Sequence, residues 1–246
     1  MNICLFSEDE IKQPLKIKDE RAEHLLKVLH KKTGDSFTAG VLEGKSGRAV
    51  ITAIDEKGIH FCFAPKADGK LLNPLKMLIG FPRPIQLKRL LRDIAALGVC
   101  EVHLTGTELG EKSYMQSNLV ERGAAYKMLL DGTVQAGSTH VPQLFMHKTL
   151  QECLEAVSAE TKLALDNVNP LCSLDEATRA CSTKDSTGSF FVAAAIGSER
   201  GWTDKERALL ESHGYTRCGM GQRIMRTETA ATVAGAIILN NLGLLQ

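Results

Sequence analysis

Apolar and polar positions follow two different rhythms along the chain. Over roughly the first seventy residues, the short runs "SFTAGVL", "GRAVITAI" and "GIHFCFA" are separated by glycine and charged turns, the pattern of half-buried strands. One helical stretch interrupts them: Asp19 stands as N-cap, and Leu25, Leu26, Val28 and Leu29 form its apolar side before Gly34. These features predict a small β-barrel or sandwich over residues 1–70. The stretch "KADGKLLNP", residues 66–74, has linker composition and marks the boundary of a second domain, 71–246.

Beyond it, short uniformly apolar segments alternate with longer helical patterns. "LKMLIGF" precedes a helix over about 84–97, with Leu87, Leu90, Leu91 and Ile94 at helical spacing and Gly98 at its end. "EVHLT" precedes a helix expected over Ser117 to Val134. "KLALD" lies between helices opened by the capping boxes Thr149 to Glu152 and Ser173 to Glu176, and "FFVAAAI" leads into "GSERG". Strand–helix alternation with apolar strands predicts an α/β fold, its parallel sheet covered on both faces. Ligands of such sheets bind beyond the carboxyl ends of the strands, which places "GFPRP", "DNVNP" and "GSERG" on the functional rim.

Composition changes this picture little. The chain has 246 residues, 43% hydrophobic and 24% charged, with a formal charge of +1, so a polyanion site must be local rather than spread over the whole surface. The amino terminus lacks the pattern of a secretory signal, and the uncharged C-terminal run "TAATVAGAIILNNLGLLQ" is a poor membrane span. A cytoplasmic location without membrane attachment is expected. The seven cysteines (Cys4, Cys62, Cys100, Cys153, Cys172, Cys181, Cys218) include no CxxC pair, and the seven histidines are scattered. They read as reduced thiols and ordinary core or surface imidazoles, with no metal implied.

Candidate chemistry concentrates in two glycine-bearing loops. In "GSERGWTDKE", Gly197 and Gly201 permit close backbone approach, and Thr203 with Glu206 forms a capping box. By itself the loop fits either a bare strand-to-helix turn or a ligand cradle. "CGMGQRIMRTETAATVAGAIILNN", residues 218–241, adds Gly219, Gly221, two arginines, Thr227 and Glu228 ahead of a small-residue helix; charges there are costly unless paired or used. "GMGQRI" lacks the third glycine of a dinucleotide fingerprint, and "AGVLEGKSG" has Ala39 where a P-loop needs glycine and runs into a strand. There is no GxSxG, HExxH or DxDxDG.

At these two loops the chain resembles the RsmE-type 16S ribosomal RNA uracil-N3 methyltransferases of the SPOUT superfamily. Gly197, Glu199 and Gly201 match the family's "GPEGG". Gly221, Arg223, Ile224, Arg226, Thr227, Glu228, Thr229 and Ala230 match its "LGxRILRTETA". "HLLKVLHKKTGD", His24 to Asp35, resembles the family's N-terminal motif, and Leu97 to Val99, Val141 and Pro142 also fall in place. Ser198 and Arg200 depart from the family's proline and glycine, His30 replaces an arginine, "RDIAALG" (Arg92 to Gly98) replaces "QKxxELG", and "VQAGS" (Val134 to Ser138) replaces "EQxGR".

The resemblance implies a C-terminal SPOUT domain with a trefoil-knotted parallel sheet, preceded by a PUA-like RNA-binding barrel. It also implies S-adenosylmethionine as methyl donor, ribosomal RNA or the small ribosomal subunit as partner, and a homodimer. The donor would be held by Leu165, Asp166, Ile196, Gly197, Glu199, Gly201, Met220, Gly221, Ile224, Met225 and Thr227. Arg226 would stabilise a developing uracil anion. Glu228 would orient it or accept the proton, or the two would simply pair. Local basic surface for RNA is offered by Arg21, Lys27, His30 and Lys31, by Arg83, Lys88 and Arg92, and by Arg223. An RNA-binding protein of this fold with another target or without catalysis is the competing expectation.

Overall fold

The computed structural model describes residues 2–115, 123–179 and 190–245. The start of the helix expected at Ser117, and Cys181, lie outside the described residues. The chain divides into two compact units: Met1–Leu71 with Leu130–Val141, and Leu72–Leu129 with Pro142–Gln246.

The first unit holds a four-stranded sheet in the order β1-β2-β3-β4, made of β1 (Cys4–Phe6), β2 (Ser36–Val41), β3 (Lys45–Asp55) and β4 (Gly58–Asp68). β1 and β2 are parallel and the other pairs antiparallel. Phe6, Phe37 and Phe61 pack ring on ring at 5.1 and 5.6 Å over Leu25, Ile51 and Ile59. The segment 130–141 joins this unit through polar ties to loops: Thr139 Oγ1 donates to the Gly44 carbonyl at 2.7 Å, and the Val141 amide donates to Glu43 at 2.9 Å.

Asp19 caps its helix as expected, accepting from the Arg21 amide. Only Glu20–Glu23 is α-helical, however; His24–Val28 winds as a π turn. The wider turn rotates the apolar side out of register, so Leu25 is buried while Val28 and Leu29 are 59% and 44% exposed. The expected apolar face of four leucine and valine positions is thus reduced to its N-terminal half.

The second unit is an all-parallel seven-stranded sheet in the order β7-β6-β5-β10-β8-β11-β9. Its strands are β5 (Asn73–Gly80), β6 (Val99–Thr105), β7 (Gln143–His147), β8 (Thr161–Leu165), β9 (Cys172–Ser173), β10 (Val192–Ile196) and β11 (Thr216–Gly219). Every residue of β10 is buried, as a central strand covered on both faces requires. One face carries the helices Leu150–Ala156 and Asp204–Ser212 around Leu78, Leu154, Ala195 and Leu210. The other carries Pro84–Ala96 and Thr227–Asn241.

The small residues of the last helix let it lie tight on the sheet: a Cβ on Gly235 would stand 2.7 Å from Met77 Cε. Thr203/Glu206 and Ser173/Glu176 both form reciprocal capping boxes. At Thr149 the hydroxyl accepts from the Glu152 amide, but the Glu152 carboxylate takes the Lys148 amide instead. The helix Pro84–Ala96 buries Leu87, Leu90, Leu91 and Ile94, and Gly98 follows with φ +74°.

Candidate functional site

Three chain segments leave the carboxyl ends of β8, β10 and β11 side by side, and a cavity of about 300 Å³ opens between them. This is the place a parallel sheet offers a ligand, and the volume lies at the lower end of the range of small-molecule sites. Its geometry begins with sheet order. β11 lies between β8 and β9, so residues 166–171, which join those two strands, pass over β11. The Asp166 amide donates to the Cys218 carbonyl and the Leu171 amide to the Arg217 carbonyl, each at 3.0 Å. Gly219 runs so close beneath that a Cβ would stand 2.9 Å from Pro170.

The 197–201 turn is the second wall. Gly201 has φ +73°, its amide donates to the Ser198 carbonyl at 2.9 Å, and a Cβ on Gly197 would come within 3.1 Å of the Gly201 backbone. Gly80, at the end of β5, is as tightly fitted: a Cβ there would meet the Ser198 amide nitrogen at 2.5 Å. The third wall is 220–227, ending where Thr227 Oγ1 donates to the Gly197 carbonyl at 3.3 Å. Trp202 Nε1 donates to the Leu165 carbonyl at 3.0 Å and fastens the second wall to the first.

All eleven residues assigned to the donor line this cavity: Leu165, Asp166, Ile196, Gly197, Glu199, Gly201, Met220, Gly221, Ile224, Met225 and Thr227. Asn167, Ser198, Arg200, Trp202, Cys218, Arg223 and Ala230 line it as well. Trp202 is the chain's one tryptophan and directly follows the glycine loop, a signal that sequence reasoning left unused. Ser198 is buried, and its hydroxyl has no hydrogen-bond partner among the described residues.

Asp166 touches the cavity but its carboxylate is already engaged. Arg207 Nε donates to it at 2.7 Å, the Val168 amide at 3.1 Å, and Arg217 stands 3.9 Å away. The pair holds the Arg207 guanidinium above its ordinary pKa, chiefly through the hydrogen bond to Asp166. Arg217 is tied further to Glu211 and to the Val168 carbonyl.

Arg226 occupies the N-cap position of the last helix, exposed and without a side-chain capping bond, and Glu228 lies in the first turn, 6% exposed; neither is among the residues that line the cavity. The two do not pair with each other, and neither side chain has a hydrogen-bond or ion-pair partner among the described residues.

The basic candidates separate. Arg21 is committed inside the first unit: it bonds Asp19 and Glu10, donates to the Leu5 carbonyl and stacks 4.8 Å over Phe6. Its donors are thus shared among two carboxylates and a carbonyl of the same unit. Lys27 pairs loosely with Glu23 at 3.1 Å, His30 is exposed with φ +51°, and Lys31 is half-buried. In the second unit Arg83 pairs with Glu199 at 3.0 Å, which joins the "GFPRP" rim to the glycine loop, and its shift to higher pKa comes first from a hydrogen bond with Tyr114. Lys88 and Arg92 are exposed on the helix Pro84–Ala96, and Arg223 is exposed at the cavity.

A parallel sheet with a glycine-walled cavity at its carboxyl edge defines a ligand-binding α/β domain, and the family model that matches residues 70–239 is that of the RNA methyltransferase domain. The chain is 38% identical to the ribosomal RNA small subunit methyltransferase E of Treponema pallidum, across 98% of this chain and 91% of that protein. Its fold is that of a Legionella pneumophila methyltransferase solved with bound cofactor SAM (TM-score 0.77, 21% identity, 98% and 97% of the two chains). It is also that of the Neisseria gonorrhoeae ribosomal RNA small subunit methyltransferase E bound to S-adenosyl methionine (TM-score 0.69, 20% identity, 98% and 97%). The chain belongs to the RNA methyltransferase family, in its RsmE group.

Proposed function

We propose that this protein transfers a methyl group from S-adenosylmethionine to N3 of a uridine in 16S ribosomal RNA. The observation that carries the reading is the single cavity in which all eleven donor-assigned residues meet. The residues present fit such a donor. Ser198 offers an unpartnered buried hydroxyl, the glycines at 197 and 201 leave backbone open to close approach, and Leu165, Ile196, Ile224 and Met225 give apolar walls.

When bound, the donor supplies an electrophilic methyl group on a sulfonium. The chain then has two tasks, alignment and charge. Alignment falls to the three walls, and well-oriented reactants gain up to about 7–11 kcal/mol of barrier lowering. Arg226, exposed beside the cavity-lining Met225 and Thr227 and not engaged by any described carboxylate, stabilises the uracil anion left when N3 loses its proton. Glu228 takes that proton: the residue is 6% exposed, its carboxylate has no partner among the described residues, and it stands two positions from the cationic group that stabilises the product of the same step.

In this reading the second unit is a trefoil-knotted SPOUT domain, supported by the passage of residues 166–171 over β11. The first unit, in which the His24 to Asp35 motif runs from the π turn to the start of β2, is a PUA-like RNA-binding module. Arg21, Lys27, His30, Lys31, Arg83, Lys88, Arg92 and Arg223 are the RNA-contacting candidates of this reading, with Arg21 and Arg83 sharing their charge with Glu10, Asp19 and Glu199. The protein acts as a homodimer in the cytoplasm; Ile224, Leu171 and Val168, exposed by 81%, 68% and 44% at the knot, support an apolar interface there. Among the described residues no helix is long and apolar enough to cross a membrane.

The test is transfer of isotopically labelled methyl from S-adenosylmethionine to small ribosomal subunits lacking the modification, followed by nucleoside mass spectrometry. Label in 3-methyluridine is the expected result. Label in another nucleoside would overturn the target, and absence of label with the donor bound would overturn the activity.

A further inference from the structure

Away from the cavity, the parallel sheet buries a run of polar side chains that the methyl-transfer reading does not use. The register places Lys76 opposite Glu101, His103 between Leu78 and Phe145, and Thr105 opposite His147, so these residues share one face. On it Lys76 Nζ lies 3.0 Å from one Glu101 oxygen, and the other oxygen lies 3.0 Å from His103 Nε2. His103 Nδ1 lies 3.0 Å from His147 Nε2. Cys153, from the helix Leu150–Ala156, completes the group: His103, His147 and Cys153 place one ligand atom each within 4.8 Å of one another. His103 and Cys153 are 2% and 0% exposed.

The hydrogen bonding fixes the chemistry of His103. A carboxylate can only accept, so Nε2 carries the proton and Nδ1 turns its lone pair toward His147 and Cys153. Stacking on Phe145 at 4.7 Å and on His147 at 5.3 Å holds the ring in that attitude. A carboxylate behind a histidine whose free nitrogen faces another imidazole and a thiol is the arrangement that orients and strengthens metal-ligating histidines.

We propose that His103 Nδ1, His147 Nε2 and Cys153 Sγ form a binding site for a zinc-class divalent cation, with Glu101 as the positioning residue behind His103. Two imidazoles and a thiolate are the donor set zinc and cobalt favour. The Cys153 thiol loses its proton to solvent as the metal–sulfur bond forms. Zinc bonds of about 2.0–2.1 Å to nitrogen and about 2.3 Å to sulfur put tetrahedral ligand atoms roughly 3.3–3.6 Å apart; the present spacing needs about 1 Å of adjustment to close on a cation. Three protein ligands leave the fourth position to water, on the side where His147 is half-buried. His103 and His147 are 44 positions apart, which is why no ligand spacing marks the site in the sequence. This site is independent of whether the cavity binds a methyl donor.

The test is a titration of the full-length, chelator-treated protein with Co²⁺, followed by competition with Zn²⁺. The expected result is one Co²⁺ per chain, with the visible bands of tetrahedral cobalt, a near-ultraviolet thiolate charge-transfer band, and loss of both on adding Zn²⁺. Cys153→Ser abolishes the charge-transfer band. His147→Gln, a change at the half-buried ligand that leaves the core packing in place, weakens binding more than about 100-fold, and Glu101→Gln weakens it about 10- to 100-fold while keeping the band. A wild-type spectrum without the charge-transfer band, absence of saturable binding, or equal affinity in wild type, His147→Gln and Glu101→Gln would overturn the site.

Discussion

Two stretches bordering the cavity use the same residue types in opposite ways. In the 166–171 crossing, Asp166 is buried with its side chain 1% exposed and held by Arg207 at 2.7 Å, and Arg217 stands behind it. In 220–228, Glu228 is nearly as buried, yet neither it nor Arg223 nor Arg226 has a partner among the described residues. A buried pair of the first kind fixes shape, since breaking it strands a charge. Of the second group only Glu228 is withdrawn from water, and a carboxylate so placed costs folding free energy unless something else uses it; Arg223 and Arg226 are exposed and solvated. On the proposed reading the first stretch holds the fold and the second serves the chemistry.

The sharpest way to break that assignment is Arg226→Ala. It is expected to lower methyl transfer about 100- to 1000-fold, the effect of removing one donor to a developing anion. Donor binding measured by calorimetry should stay within about tenfold, or about 1.4 kcal/mol. Asp166→Ala should do the reverse at the level of the fold: a loss of about 3 kcal/mol in urea unfolding, from the stranded Arg207. The figure sits at the low end because Arg207 keeps Asp204 as a second partner at 2.8 Å.

Gly80→Ala comes next. Its Cβ would press on the Ser198 amide, and overpacking of this kind costs about 1–3 kcal/mol. The loss should appear as weaker donor affinity together with a lower melting temperature.

The smallest effect concerns the arginine that is engaged in the first unit. Hydrogen bonds from Arg21 hold the Asp19 and Glu10 carboxyls below their ordinary values of 3.8 and 4.5. The unfolded chain therefore binds protons first on acidification. This contribution is complete above about pH 5 and is lost as pH falls through those folded values. Both groups are partly exposed, so it should be under about 1 kcal/mol. Melting curves from about pH 5 to pH 2 should fall less steeply for Arg21→Gln than for wild type.

What could be read in the sequence was local and periodic. The apolar strands, the Thr203 and Ser173 caps and the glycine loops are each written in a few neighbouring residues, and the structure has them. What escaped depends on partners distant along the chain. Nothing near Asp166 announces Arg207, and nothing near Arg21 announces Glu10 and Phe6, so Arg21 read as available charge. The π turn at His24–Val28 follows no apolar period and turned Val28 and Leu29 outward. A boundary drawn near residue 70 leaves out 130–141, whose attachment rests on Thr139 and Val141 meeting Gly44 and Glu43. The cluster of His103, His147 and Cys153 exists only through strand register and the helix laid over it.

The claim on which the rest depends is that the cavity at the ends of β8, β10 and β11 holds the methyl donor. Calorimetric titration of S-adenosylmethionine into wild type and Gly197→Ala tests it most directly, because the added methyl group crowds the Gly201 backbone at 3.1 Å without altering any charge. Wild type should bind one donor per chain saturably, and the variant at least about tenfold more weakly. Absence of binding in wild type, or equal affinity in the two proteins, would contradict it.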